Sequence, residues 1–201
     1  MISNEKINKL LGITESYQAP AVMLAIMLDT KKRKKLFDEF LEYENKMDYE
    51  WFMNYFESEH ADRKTKKQDF TPMSVATTLN RLVRTRKKDE DNLYFESTAG
   101  NGGIMIKNWH ETRTRTTPFS YDPRAYWHQV EELSDRAIPF LIFNMSIRGM
   151  NGVIIHGDSL ERTASEVYFI RNDSGNYLGF SEVIKMEHTD LLARELDIKW
   201  L

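Results

Sequence analysis

Glu96-Ser97-Thr98-Ala99-Gly100-Asn101-Gly102-Gly103 puts three glycines into four consecutive positions, directly after the apolar segment Leu93 to Phe95. A main chain without side chains lets a cofactor approach closely, and a helix that starts there aims its amide dipole at a carboxylate or phosphate. The same residues also fit a β-hairpin, with Asn101-Gly102 as a type I′ turn pair and Ile104 to Ile106 as the returning strand. A glycine loop after a first strand predicts an acid after the second, where it accepts from ribose hydroxyls. Glu131 and Glu132 stand in the second apolar segment, Val130 to Leu133, and Asp158 follows the third, Val153 to Ile155, in His156-Gly157-Asp158-Ser159-Leu160. Parallel strands would bring all three turns to one edge. The plainer readings make Glu132 a charge at a helix start and Asp158 a turn residue.

The elements that must position these groups can be read from periodicity. From the start to about Lys67, apolar residues recur three and four apart, as in Leu36, Phe37, Phe40, Leu41 and Trp51, Phe52, Tyr55, Phe56. Three short helices are expected there, with Pro20 at a first turn and Thr30 and Asp48 as caps. The polar stretch Glu57 to Gln68 breaks the pattern, which predicts a helical region over 1–68 and an α/β domain over 69–201. Thr71-Pro72 reads as a helix start. A helix opening at Ser134 or Asp135 and ending at Gly149, with Ile138, Leu141, Ile142 and Met145 inward, separates the second and third strands. A fourth strand is expected over Val167 to Ile170. Strand–helix–strand alternation argues parallel pairing.

Composition excludes several classes. The 28 basic and 31 acidic residues leave a charge of -3, so any nucleic-acid surface must be local. Candidates are Lys31 to Lys35, Arg63 to Lys67, Arg84 to Lys88 and Arg113 to Arg115. With no cysteine, disulfides, thiolate zinc sites and cysteine nucleophiles are absent, as suits a reducing cytoplasm. The longest apolar run, Ala21 to Leu28, is far short of the roughly 20 residues a membrane span needs. The histidines are too scattered for a metal site.

Taken together, the segments resemble the N6-adenine DNA methyltransferases, and among them the modification subunits of type I restriction systems. Asp69-Phe70-Thr71-Pro72 is similar to the family's phenylalanine-threonine-proline segment. Ser97 to Gly103 is similar to its DPACGTGG loop, with Glu96 in place of the aspartate and Ser97 in place of the proline. Glu131 to Leu160 resembles its ribose acid, crossover helix and GD(S/T)L turn. The resemblance covers about Asp69 to Ile170. It implies a truncated Rossmann-like core of the class I methyltransferases, behind an all-α N-terminal region, with S-adenosylmethionine as cofactor. It places Phe70, Thr71 and Pro72 at the methionine end, and Glu96, Thr98, Ala99, Gly100, Asn101 and Gly102 in the loop. Glu132 goes to the ribose hydroxyls and Asp158 to the adenine amino group, with Leu133, Ser159 and Leu160 beside them.

The family's asparagine-proline-proline-aromatic motif should follow the fourth strand. The chain reads Arg171-Asn172-Asp173-Ser174-Gly175-Asn176-Tyr177 there, so Asn172 and Asp173 are the candidate acceptors and Tyr177 the stacking ring. Both prolines are missing, and roughly thirty residues remain, too few for a complete sheet and a target-recognition domain. Two functions follow from the resemblance. One is an adenine-specific DNA methyltransferase or its cofactor-binding subunit, with a protein partner such as a specificity subunit supplying target recognition. The other is a non-catalytic relative that modulates a restriction or defence complex from a phage or other mobile element. An edge strand on a shortened sheet predicts dimerisation or partner docking.

Overall fold

The computed structural model describes residues 2–57, 92–115, 120–176 and 178–201. The expected helix at Thr71, the boundary near Asp69, the candidates Phe70, Thr71, Pro72 and Tyr177, and the basic clusters 63–67 and 84–88 lie outside the described residues.

The regular elements up to residue 57 are helices α1 (Asn4–Leu11), α2 (Ala19–Met27), α3 (Thr30–Leu41) and the short α4 (Met53–Glu57), with a 3-10 turn at Ser16–Gln18. Pro20 sits in the first turn of α2. Asp29, not Thr30, caps α3: its carboxylate accepts the N–H groups of Lys31 and Lys32, the arrangement that satisfies the orphan donors of a helix start. Residue Asp48 caps no helix, and Glu50 instead accepts the N–H of Phe52 at 2.8 Å, just ahead of α4.

After these come β1 (Leu93–Glu96), α5 (Gly103–Thr114), a 3-10 turn at Pro123–Ala125, β2 (Trp127–Glu132), α6 (Ile138–Ile147), β3 (Gly152–Asp158), β4 (Thr163–Arg171), β5 (Glu182–Lys185), α7 (Asp190–Glu195) and β6 (Lys199–Trp200). They build a mixed six-stranded sheet of order β1-β2-β3-β4-β5, with β6 on β4. β1, β2 and β3 are parallel, as the alternation with helices requires. The hairpin reading of 93–106 is excluded, because the glycines open α5 rather than a return strand.

The fourth strand departs from expectation. It is longer, and it runs antiparallel to β3, with Asp158 opposite Thr163 and Gly152 opposite Ile170. Only residues 159–162 connect the two strands, a length that permits a reversal and forbids a parallel crossover, which needs about a dozen residues or more.

Side chains of β3 alternate between two cores. Ile154 faces a large one that also holds Val130 and Tyr168 of the sheet, Met105, Ile106 and Trp109 of α5, the buried apolar side chains of α1–α3, and most of α6. Val153 and Ile155 face a smaller one closed by Leu192, Leu196 and Ile198. Helix α6 is not amphipathic: all ten of its residues are buried. Its outer side is covered by the N-terminal aromatics, with Phe143 edge-on to Phe37 at 5.2 Å and to Phe40 at 5.1 Å, and Phe140 against Phe52 at 4.8 Å. The helical residues before 57 and the sheet therefore share one core. Among the described residues, no single helix is long and apolar enough to cross a membrane.

Candidate functional site

Parallel pairing brings the carboxyl ends of β1, β2 and β3 to one rim, the place where open α/β sheets hold ligands. Glu96, Glu132 and Asp158 occupy it. The register staggers them, with Glu96 level with Val130 and Glu132 level with His156.

The glycine loop is fastened to the end of β2 by two hydrogen bonds. The N–H of Ala99 donates to the Glu131 carbonyl at 2.9 Å, and the N–H of Gly100 donates to Glu132 Oε2 at 2.7 Å. Oε1 of Glu132 accepts the N–H of Ser134 at 2.8 Å, so one carboxylate holds both loops. Gly100 and Gly102 have φ of +55° and +90°, the left-handed region that residues with a Cβ rarely enter. A Cβ at Gly102 would meet Met105 Cε at 2.6 Å and Leu141 Cδ1 at 3.0 Å, so the inner side of the loop is packed. Among the described residues nothing lies within 4 Å of where a Cβ at Gly100 or Gly103 would stand. Toward those residues the outer side of the loop is an open cradle at the N-terminus of α5.

Glu96 reaches that same helix end. Its carboxyl accepts a hydrogen bond from the Tyr94 hydroxyl at 2.8 Å. Burial, reinforced by the charge of Glu132, pushes it up to about 7 from its ordinary 4.5, and the same burial beside Glu96 raises the Tyr94 phenol. Asp158 Oδ1 accepts the N–H groups of Leu160 at 2.8 Å and Glu161 at 3.1 Å, the side-chain turn expected of a short reversal. Its Oδ2 makes no hydrogen bond among the described residues. Ser159 is half-buried, while Leu133 and Leu160 are exposed beside the acids, which leaves apolar surface at the rim.

The residue set fits a cationic nucleoside with an amino-acid end. Carboxylates suit its hydroxyl and amino groups, the cradle admits a close backbone approach, and the helix end favours a carboxylate. Thr98 is exposed at the mouth of the loop. Asn101 is buried, and neither polar atom of its side chain has a partner among the described residues.

Asn172 and Asp173 are not part of this rim. Because β4 is antiparallel, they follow Ile170, which pairs with Gly152 at the amino end of β3, on the order of 20 Å along that strand from Asp158. Asn172 is buried in a structural knot: its N–H donates to Asn151 Oδ1 at 2.6 Å, its Nδ2 to the Gly149 carbonyl at 3.1 Å, and its Oδ1 accepts from Ser174. Asp173 pairs with Arg171 at 3.0 Å. Glu131, named beside Glu132 in the second apolar segment, turns inward instead: it is buried and accepts from Arg162 Nη1 at 2.9 Å on both oxygens. Periodicity missed Asn144, although the polar interruption in IPFLIFNMSI was a visible signal; it supports the loop from below.

No curated protein and no solved structure gives a significant match to the chain. The family description N-6 DNA Methylase matches residues 46–176, a span that takes in the glycine loop, all three rim acids and the segment ahead of α4. A match over most of the chain, together with a glycine loop, a second-strand acid and a third-strand acid gathered on one rim, places it: the chain belongs to the N-6 DNA methylase family.

Proposed function

We propose that the chain is a Rossmann-like S-adenosylmethionine-binding protein that serves transfer of a methyl group to adenine N6 in DNA. The family implies that methyl donor, whose sulfonium carries an electrophilic methyl group. In this reading the loop Glu96 to Gly103 receives the methionine end, with Phe70, Thr71 and Pro72 against it. Glu132 accepts from the ribose hydroxyls through the lone pairs its two backbone bonds leave over, and Asp158 Oδ2 accepts from the adenine amino group. Leu133 and Leu160 cover the base. The observation that carries the reading is the hydrogen bond from Gly100 to Glu132, which makes one unit of the two features such a ligand requires.

The acceptor set for the target adenine then comes from elsewhere than Asn172 and Asp173. A protein partner supplies it together with target recognition, in the manner of a restriction-modification assembly in the cytoplasm. The second reading, a relative that binds the cofactor without transferring the methyl group, is favoured by the burial of Asn172 at the far end of β3.

Calorimetry with S-adenosylmethionine tests the shared step, with Asp158→Ala as the variant that loses binding. Absence of heat and of any thermal shift in the unmodified chain would sink both readings. Labelled methyl transfer to duplex and single-stranded DNA, with and without co-purified partner, separates them.

A further inference from the structure

Beneath the glycine loop lies a buried polar network that neither the family match nor the rim chemistry calls for. It starts at Arg148, just past α6, whose guanidinium stacks over Trp51 at 4.1 Å and donates to the carbonyls of Met47 at 3.1 Å and Tyr49 at 2.8 Å. Its Nη1 also donates to Asn144 Oδ1 at 2.8 Å. A guanidinium has donors only, so this bond fixes which end of the Asn144 amide is oxygen. The other end must then be the donor, and Nδ2 donates both of its protons, to Glu50 Oε1 at 3.0 Å and to the main-chain carbonyl of Asn101 at 2.8 Å. Asn144 is wholly buried, with both amide protons donated and its oxygen accepting from Arg148.

We infer that Asn144 is a positioning residue for the glycine loop, holding the Asn101 carbonyl so that the backbone from Gly100 to Gly103 keeps the shape of the cradle. Arg148 orients it, and Glu50 links it to the turn segment 47–52. The shape matters because Gly100 and Gly102 sit in left-handed conformations that an untethered glycine leaves readily. A loop that must be ordered on binding costs affinity. The inference rests on the proposed reading for its ligand, and on geometry alone for the loop.

Hydrogen exchange in Asn144→Asp tests it. This variant keeps the size of the side chain and the acceptor for Arg148 but removes the donor. The amides of Gly100 and Gly102, bonded to Glu132 and the Ala99 carbonyl, should exchange about tenfold faster relative to those of β2 and β3, and affinity for S-adenosylmethionine should fall about tenfold. Phe143→Leu, a core truncation one residue away on α6, supplies the reference for general destabilisation and should not single out those glycines. Equal acceleration throughout the sheet in both variants, or unchanged glycine amides in Asn144→Asp, overturns the inference. Should Asn144→Asp not fold, a cross-hydrogen-bond NMR coupling from Asn144 Nδ2 to the Asn101 carbonyl in the unmodified chain decides in its place. An unmodified chain with no affinity for S-adenosylmethionine would defeat the functional reading, while the exchange arm would still judge the positioning role.

Discussion

Glu132 accepts the backbone N–H of Gly100 at 2.7 Å, so the acid that closes the second strand also sets the loop that closes the first. The same carboxylate holds Ser134 at 2.8 Å. Glu132→Ala removes an acceptor from two backbone donors together. It should weaken S-adenosylmethionine binding by about 1–3 kcal/mol, the range for leaving a donor without its acceptor. Calorimetry on Glu132→Ala beside Glu132→Gln checks this. The glutamine retains one acceptor oxygen and should fall between the alanine variant and the unmodified chain.

Two carboxyls set the acid–base behaviour of the fold. Burial raises Glu50 to about 7 against the pull of Arg148, and burial with Glu132 nearby raises Glu96 to about 7; both stand at 4.5 ordinarily. A folded-state value above the unfolded one means that the native chain binds more protons in between. Their stabilisation is therefore complete below about 4.5 and is lost as the pH rises through about 7. Each accounts for about 3 kcal/mol. Asp29, Glu44 and Glu166, held below their ordinary values, act oppositely at lower pH, and the buried His128, pushed down to about 4 by desolvation, acts oppositely up to about 6.5. Urea unfolding from pH 5 to 8 should show stability falling with pH because two carboxyls outweigh one imidazole, and Glu50→Gln with Glu96→Gln should remove that fall and leave the rise due to His128. A flat profile in the unmodified chain would contradict the assignment.

Arg162 is the partner of a carboxylate with almost no contact with solvent. Its Nη1 donates to both oxygens of Glu131 at 2.9 Å, while Nε and Nη2 bind the carbonyls of Asp197 and Leu196. Arg162→Ala leaves Glu131 charged and buried, at a cost of about 3–5 kcal/mol. Arg162→Lys should recover little, because one ammonium cannot reproduce the planar fork. Thermal unfolding of the two variants decides whether the pair holds the β3–β4 turn in place.

How much of this was legible depends on what each feature demands of its residues. The shared placement of the glycine loop, Glu132 and Asp158 could be read because parallel strands separated by helices carry their following turns to one edge. Helix α6 was legible as a helix but not in its surroundings: the stripe Ile138, Leu141, Ile142, Met145 marks one buried face, whereas Phe140 and Phe143 are buried by Phe37, Phe40 and Phe52 from far earlier in the chain. The direction of β4 was hidden for a different reason. Apolar runs carry no direction, and the deciding quantity was the short span from Asp158 to Thr163, which becomes visible only once the strand is seen to start at Thr163 rather than Val167.

The placement of Asn172 yields the sharpest separation between site and scaffold. Its side chain bridges the Gly149 and Asn176 carbonyls and accepts from Ser174, and its N–H meets Asn151, all at the amino end of β3. Asn172→Ala should therefore lower stability by about 1–3 kcal/mol, through buried groups left without partners, and leave S-adenosylmethionine affinity as it was. Asp158→Ala should do the reverse, because its turn is exposed to water that can replace the lost bonds to Leu160 and Glu161, while its Oδ2 has no substitute at the rim. Calorimetry and thermal unfolding on the two variants give four numbers with opposite signs of contrast. A loss of affinity in Asn172→Ala at unchanged stability would move the ligand to the other end of the sheet, and with it the entire assignment of the rim.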